Sequence, residues 1–359
     1  MGSTLLKQFF QMLIVLWGVV TLVFFLFTIL PGDPAQMMLD QNENSEQLAQ
    51  LKEKYGFNLP KSHQYFYYLN DLSPISLHPL NKNHFAHYRT ETYGGWSLAH
   101  LGPFELVIKL PYFRTSYQKT GKTVASILRE TLPHTILLAM ASICIGVIIG
   151  LVFGTLAMFY KDRWLDRILL LISTLGISIP SFFSAILFSW LFGYVLKDYT
   201  GLSMTGSLYH LDDFGEAYTI RWRNLILPAI VLGIRPLALV TQLVRSSLIE
   251  VWQEDYIRTA RSKGLSDVQI LLKHALKNAL TPVVTAVSGW FASLLAGAVF
   301  VEYIFGWKGL GREIVAALNG LDIPVIMGSV ITIAFIFTLI NFCVDWVYVY
   351  LDPRVRNHL

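Results

Sequence analysis

Charge is scarce in this chain. Lys, Arg, Asp and Glu make up 14% of its 359 residues, against about 25% in soluble domains, while 54% are hydrophobic and the mean hydropathy is +0.50. A deficit of this size, with apolar runs too long for a globular core, excludes an ordinary soluble domain and places the chain in a bilayer. Cysteine is nearly absent too. Cys144 and Cys343 sit inside apolar runs, so no disulfide framework holds an exported loop together. The net charge is only +4, with no basic patch interleaved with aromatics, and nothing points to nucleic acid as a partner. Internal repeats and low-complexity tracts are missing. So is an ATP site: Gly121, Lys122 and Thr123 form the tail of a P-loop, but its first glycine would fall at Ser116, and the motif is discarded.

What is present is a series of long apolar runs. A spanning helix needs about 20 mostly apolar residues, and six segments qualify: 9–30, 135–159, 168–196, 225–244, 283–304 and 325–350. The first follows Lys7, as a signal peptide would, but it outruns an h-region of about 7–15 residues and no small-x-small cleavage site follows, so it reads as a retained helix. The third is overlong and carries Pro180, which predicts a kink or an interfacial extension. The fourth is the least clear, holding Arg235, Pro228 and Pro236.

Orientation follows from Lys and Arg in the short connections. Segments 1–8, 161–167, 245–282 and 352–359 carry them at about twice the density of 197–224 and 305–324. Both termini are therefore expected in the cytoplasm of a multi-pass protein. Segment 31–134 then lies outside. It is too long to be structureless, and its aromatics (Tyr65 to Tyr68, Trp96, Phe104, Tyr112, Phe113, Tyr117) suit either a small core or a seat on the membrane surface. Three regions result: 1–30, the first helix; 31–134, an extracytoplasmic cap; and 135–359, a five-helix core with a cytoplasmic loop at 245–282.

That loop is the most informative stretch. Its pattern predicts two short helices joined at Gly264. The first places Leu248, Val251, Trp252, Tyr256, Thr259 and Ala260 at helical spacing, and ends on Arg261 and Lys263 before the glycine. Ser266 and Gln269 have the spacing of a capping box. The second helix carries Val268, Leu272, Ala275, Leu276 and Ala279 on one face, and Pro282 closes it. Periodicity alone leaves two uses open: an elbow packed under its own bundle, or a surface docking a soluble partner.

Asp255, Tyr256, Arg258, Thr259, Ala260, Arg261, Lys263, Gly264, Leu265, His274, Ala275, Leu276, Asn278, Ala279, Leu280 and Pro282 together resemble the EAA loop of ABC importer permeases, in the form seen in the oligopeptide, dipeptide and nickel permeases. Residues 30–35 (LPGDPA), 301–312 (VEYIFGWKGLGR) and 351–356 (LDPRVR) resemble the same family in the same order. The likeness weakens over 74–110, where the outer loop is longer than in typical members. The resemblance implies an all-α integral membrane fold: six transmembrane helices of the ABC type I importer class, with an extracytoplasmic cap between helices 1 and 2, in a bacterial inner membrane. It implies a second permease subunit, two cytosolic ATPase subunits and an extracytoplasmic solute-binding protein, with membrane lipid around the bundle. The chain would carry no catalytic residue and no cofactor. Its cargo would be peptides or similar small solutes, with nickel or another metal chelate as the alternative. The ATPase-coupling residues would be Tyr256, Arg258, Thr259, Ala260, Lys263, Gly264, His274 and Asn278.

The other candidates carry less. Gly146, Gly150 and Gly154 recur every fourth residue, a smooth face for close helix packing. Arg235 lies near mid-span; such a charge marks a translocation pathway, snorkels, or hydrogen-bonds backbone carbonyls loosened by Pro236. Glu302 and Asp345 sit near span ends, where solvation or pairing accounts for them. His78, His84, His87 and His100 crowd the outer segment without Cys or acids at matching offsets, so they read as solvated loop residues and no metal site is assigned. An intramembrane enzyme or ion-coupled transporter would need paired acids, histidines or metal ligands at mid-membrane; apart from Arg235, the spans hold no such charge. A membrane anchor that only recruits a cytosolic protein through the helix pair is the remaining alternative.

Overall fold

The structure, a computed structural model, describes residues 2–29, 34–38, 45–211 and 218–351. Residues 30–33 and 352–356, which carry two of the family-like stretches, lie outside the described residues, as does the side chain of Asp345. Four helices are long and apolar enough to cross a membrane: Leu6–Thr28, Val124–Phe159, Arg223–Val251 and Ile323–Val344. Two bent pairs bring the number to as many as six, Trp164–Ser178 with Ser181–Val195, and Asp267–Ala279 with Thr281–Leu295. The break in the first pair exceeds the expected kink, reaching 108°. Ile179, ahead of Pro180, is extended at φ −79°, ψ 130°, because the proline ring disfavours the helical region for its predecessor. Pro228 and Pro236 leave Arg223–Val251 unbroken.

The expectation of an all-α chain needs correction. The segment between the first two long helices contains an antiparallel sheet of β1 (Ile75–Pro79), β2 (Trp96–Leu101) and β3 (Phe104–Ile108), in the order β1-β3-β2. A ribbon of β4 (Tyr209–Leu211) and β5 (Tyr218–Ile220) follows later. Gly102, at φ +58°, takes the left-handed conformation that lets β2 turn tightly into β3.

The chain forms two compact units. One comprises residues 1–130 and 313–335. In it, Tyr68 of helix Lys61–Leu72 is buried with Val20, Val23 and Phe24 of helix Gly2–Ile29 and with Met327 and Ile331. Asp322, buried, accepts from the Ser116 hydroxyl and the Tyr117 N–H, and Lys119 pairs with Glu313. These contacts explain why 313–335 joins this unit.

The other unit comprises residues 131–312 and 336–359. Its helices pack closely where side chains vanish. A Cβ on Gly146, Gly150 or Gly154 would meet the carbonyl of Gly233, Leu237 or Thr241 at 2.8, 2.9 and 2.8 Å, so the glycine stripe seats Val124–Phe159 directly on the backbone of Arg223–Val251.

Candidate functional site

The loop at 245–282 begins as helix Arg223–Val251 ends, and its base is fixed by charge. Arg245 grips Asp166 through two parallel hydrogen bonds of 2.7 Å, the bidentate geometry that makes Arg–carboxylate pairs directional. Asp166 also accepts from the Asp162 N–H at 2.9 Å. The chain then turns into helix Asp255–Ser262. Gly264 reverses it at φ +79°, and Ser266 and Gln269 complete the capping box over helix Asp267–Ile270. Both features were legible in the sequence.

The facing of the two helices was not. Ile257 and Ala260 are buried with Leu248, Ile270, Leu271, Ala275 and Ala279 in one cluster, with Ala260 only 5% exposed. Tyr256 and Thr259, expected on the same face as Ala260, are exposed. In the second helix the apolar face is displaced as well. Residues 271–275 form a π turn, whose i→i+5 bonding inserts an extra residue into the turn and rotates everything beyond it. The extra residue puts Ala275 and Ala279, at and beyond the end of the turn, on the same inward side as Ile270 and Leu271, while Val268 and Leu272 stand 61% and 62% exposed. Pro282 sits in the first turn of helix Thr281–Gly297 and opens it, rather than closing the helix before.

The outward surface is polar with an apolar pair in it. The Asn278 amide donates to the Tyr256 hydroxyl at 2.8 Å, tying the two helices together. The Arg261 guanidinium lies 5.2 Å from the centre of the Trp252 ring, and Trp252 meets Phe159 edge-on at 5.4 Å. Arg258 pairs loosely with Asp255 at 3.3 Å and is largely exposed. Thr259, Lys263 and Gly264 are exposed and His274 is half-buried. Of the eight residues singled out from the sequence, Ala260 alone is turned fully into the chain's own core.

Arg235 is half-buried in helix Arg223–Val251, and its Nε has no partner among the described residues. Three of the four histidines singled out in the outer segment are not freely solvated, which corrects that reading for His78, His84 and His87; His100 is exposed, on strand β2. His78 is fully buried, with Nδ1 2.9 Å from the Ala86 carbonyl and Nε2 3.0 Å from the Ser76 hydroxyl; burial pushes its imidazole below the ordinary range. His84 Nδ1 accepts from the Ala86 N–H, and His87 Nδ1 lies 2.9 Å from the Pro79 carbonyl. Among the described residues, no three His, Cys, Asp or Glu side chains gather closely enough to hold a metal.

Sequence reasoning missed the role of Glu302. It is not solvated at an interface but fully buried. Its carboxylate accepts from the N–H groups of Gly311 at 2.7 Å and Arg312 at 3.3 Å, at the start of helix Leu310–Asn319. A negative group at that position complements the orphan donors and the positive end of the helix dipole. A Cβ on Gly309 would collide with the carboxyl. Trp307, also buried, donates from Nε1 to the His134 carbonyl at 3.0 Å, and the Leu310 N–H meets the Thr135 hydroxyl at 2.8 Å. The signal was there: an acid followed by Gly306, Gly309 and Gly311 marks a carboxylate that backbone must approach closely.

Comparison with known proteins places these features in a family. Residues 142–357 match the family described as binding-protein-dependent transport system inner membrane component, and residues 1–77 match its N-terminal membrane-component counterpart. The dipeptide transport system permease protein of Alkalihalophilus pseudofirmus is 32% identical over 364 residues, covering 98% of each chain. The corresponding dipeptide permease of Bacillus subtilis is 31% identical over 358 residues, covering 100% of this chain and 99% of that one. Among solved structures, a chain of the inward-facing MetNI methionine ABC transporter superposes with a TM-score of 0.50 at 18% identity, covering 64% of this chain and 97% of that one. The likeness to that structure concerns the fold alone.

Proposed function

Because this chain belongs to the family of binding-protein-dependent transport system inner membrane components, we propose that it is the permease subunit of an ATP-driven importer whose cargo is di- or oligopeptides. It is a transporter's membrane subunit, and ATP hydrolysis falls to partner chains. The names of its full-length relatives support the cargo class. In this reading Trp164–Ser178 with Ser181–Val195 counts as one span and Thr281–Leu295 supplies another, giving six, while Asp267–Ala279 stays in the cytoplasmic loop. Segment 31–134 is an extracytoplasmic cap, and both termini are cytoplasmic. The assembly adds a second permease subunit, two cytosolic ATPases and a binding protein.

One observation carries the coupling role. Between two apolar helices lies a helix pair that is anchored inward by Ile257, Ala260 and Ala275 and outward presents Tyr256, Arg258, Thr259, Lys263, Val268 and Leu272. Two aliphatic side chains exposed one turn apart suit an amphipathic helix that enters a groove through apolar anchors at helical spacing. Ala260 supports that surface from beneath. Arg235, a charge without a described partner on a spanning helix, is assigned to the translocation pathway.

The test is reconstitution. The chain, purified with its co-eluting partners and placed in proteoliposomes, should accumulate a labelled dipeptide only with ATP and binding protein present. Uptake of a nickel chelate in place of dipeptide would overturn the cargo class. Uptake without ATP would overturn the importer reading itself.

A further inference from the structure

The three-stranded sheet is turned inside out. Its register places Ile75, Ile108 and Trp96 on one rung and Pro79, Phe104 and Leu101 on another. The rung between them is Leu77, Leu106 and Ala99. This face carries no polar side chain, yet it is the outward one, with Trp96 77% exposed and Ile75, Leu77, Leu101, Phe104 and Ile108 all exposed. The opposite face holds Ser76 and His78, both buried and hydrogen-bonded. An antiparallel sheet with one face in water alternates the other way, apolar in and polar out. The apolar side chain displayed is on the order of 800 Å², beyond the patch that a water-facing monomer ordinarily carries.

The geometry points to a lipid surface as the occupant: the sheet lies face-down on the outer leaflet, at the boundary of headgroups and acyl chains. Three observations select the bilayer. First, the sheet is leashed to a spanning helix. The hydroxyls of Thr21 and Tyr65 are 2.6 Å apart, and the Phe24 ring lies 5.3 Å from that of Tyr65. Thr21 lies eight residues before the helix end at Ile29, about 12 Å down its axis, so Tyr65 holds helix Lys61–Leu72 against the span instead of leaving it clear of the membrane. Second, the Asn70 side chain of that helix, five residues on from Tyr65, exchanges two hydrogen bonds with the Leu77 backbone, at 2.8 and 2.9 Å, which ties β1 to a helix held against the span. Third, Trp96 is a residue of the membrane-interface belt, and Phe104 on the same face suits the apolar side of an interfacial element. A binding protein that docks and leaves would return the whole face to water in every cycle, and the face offers it no charge to recognise. At headgroup depth water still reaches the unpaired edges of β1 and β2, which hydrocarbon would not allow.

The proposal rests on Gly2–Ile29 being a membrane span, and the test separates the two. The full chain, with Cys144 and Cys343 replaced by Ser, is labelled with a nitroxide at Leu77→Cys, Leu101→Cys, His100→Cys or Leu13→Cys and placed in phosphatidylcholine/phosphatidylglycerol nanodiscs. Collision with oxygen, which concentrates in lipid, is compared with collision with a water-soluble nickel chelate. Leu77 and Leu101 should favour oxygen by about threefold or more over His100, the depth contrast of an interfacially seated face. Equal access at Leu101 and His100 would overturn the proposal while Leu13 still favours oxygen. Occlusion of Leu101 from both reagents would also overturn it, in favour of a protein partner or second copy. Nickel access at Leu13 would overturn the span and the proposal together.

Discussion

Ala260→Glu and Leu272→Glu place the same charge on opposite sides of one loop. Ala260 is 5% exposed, against Ile257, Leu248 and Leu271. A carboxylate there has neither water nor cation, and burying it costs several kcal/mol, a large share of a total stability of about 5–15 kcal/mol. Leu272 is 62% exposed, and an exposed swap of this kind changes stability by only about 0.5 kcal/mol. Its cost should fall on docking. Fully burying a leucine contributes about 1.5–3 kcal/mol, so covering what Leu272 still shows is worth roughly 1–2 kcal/mol. Desolvating a glutamate in its place brings the loss to about 2–4 kcal/mol, or roughly 30- to several-hundred-fold in affinity. Two measurements on the full-length chain read this out: the thermal transition of the purified permease, and titration of the ATPase subunits onto permease nanodiscs with hydrolysis as the signal. Ala260→Glu should lower the transition and the yield. Leu272→Glu should keep both and shift the titration midpoint by the stated factor. A well-folded Ala260→Glu would refute the burial argument. A normal midpoint in Leu272→Glu would refute the docking face.

Three further expectations follow from other contacts. Cysteines replacing Gly94 and Lys263, in a background without Cys144 and Cys343, should react with an impermeant thiol reagent from opposite sides of the membrane; labelling from one side would contradict the six-span arrangement. Gly150→Val should destabilise the bundle by about 1–3 kcal/mol, as overpacking does, because its Cβ would lie 2.8 Å from that of Val240; an unchanged melting temperature in detergent would mean that the two helices part easily there. Lys109 is buried, donating to the carbonyls of Asn70, Asp71 and Ser73, and burial pushes its ammonium down to about 8. The folded state then binds fewer protons than the unfolded one between about pH 8 and 10, so stability of the outer segment should rise with pH across that window. Above it the sign reverses, since burial pushes the Tyr112 phenol up to about 12 and the folded state holds the extra proton. Limited proteolysis against pH reads the maximum, and Lys109→Met should remove the rising limb.

Much of this protein is fixed locally, and that part was legible. Hydropathy is a sum over neighbouring residues, so the apolar runs located the long helices to within a few residues at most ends. The Ser266 cap and the Gly264 reversal are settled within four residues of chain. The tertiary structure decided which way things face. The same residue type broke the chain at Pro180 and passed through a continuous helix at Pro236, which lies buried against Gly146, because close packing on a neighbouring helix holds the second in line. Ala260 turned inward because it packs with Leu248, Ile270, Leu271 and Ala275 from elsewhere in the loop; in the second helix the π turn at 271–275 shifts the helical phase by one residue, and a repeat count assumes that the phase is constant. The apolar side of the sheet turned outward although its alternation reads the same either way. Periodicity establishes that a segment has two faces; what each face meets depends on residues far away in the chain, or on the lipid beside it.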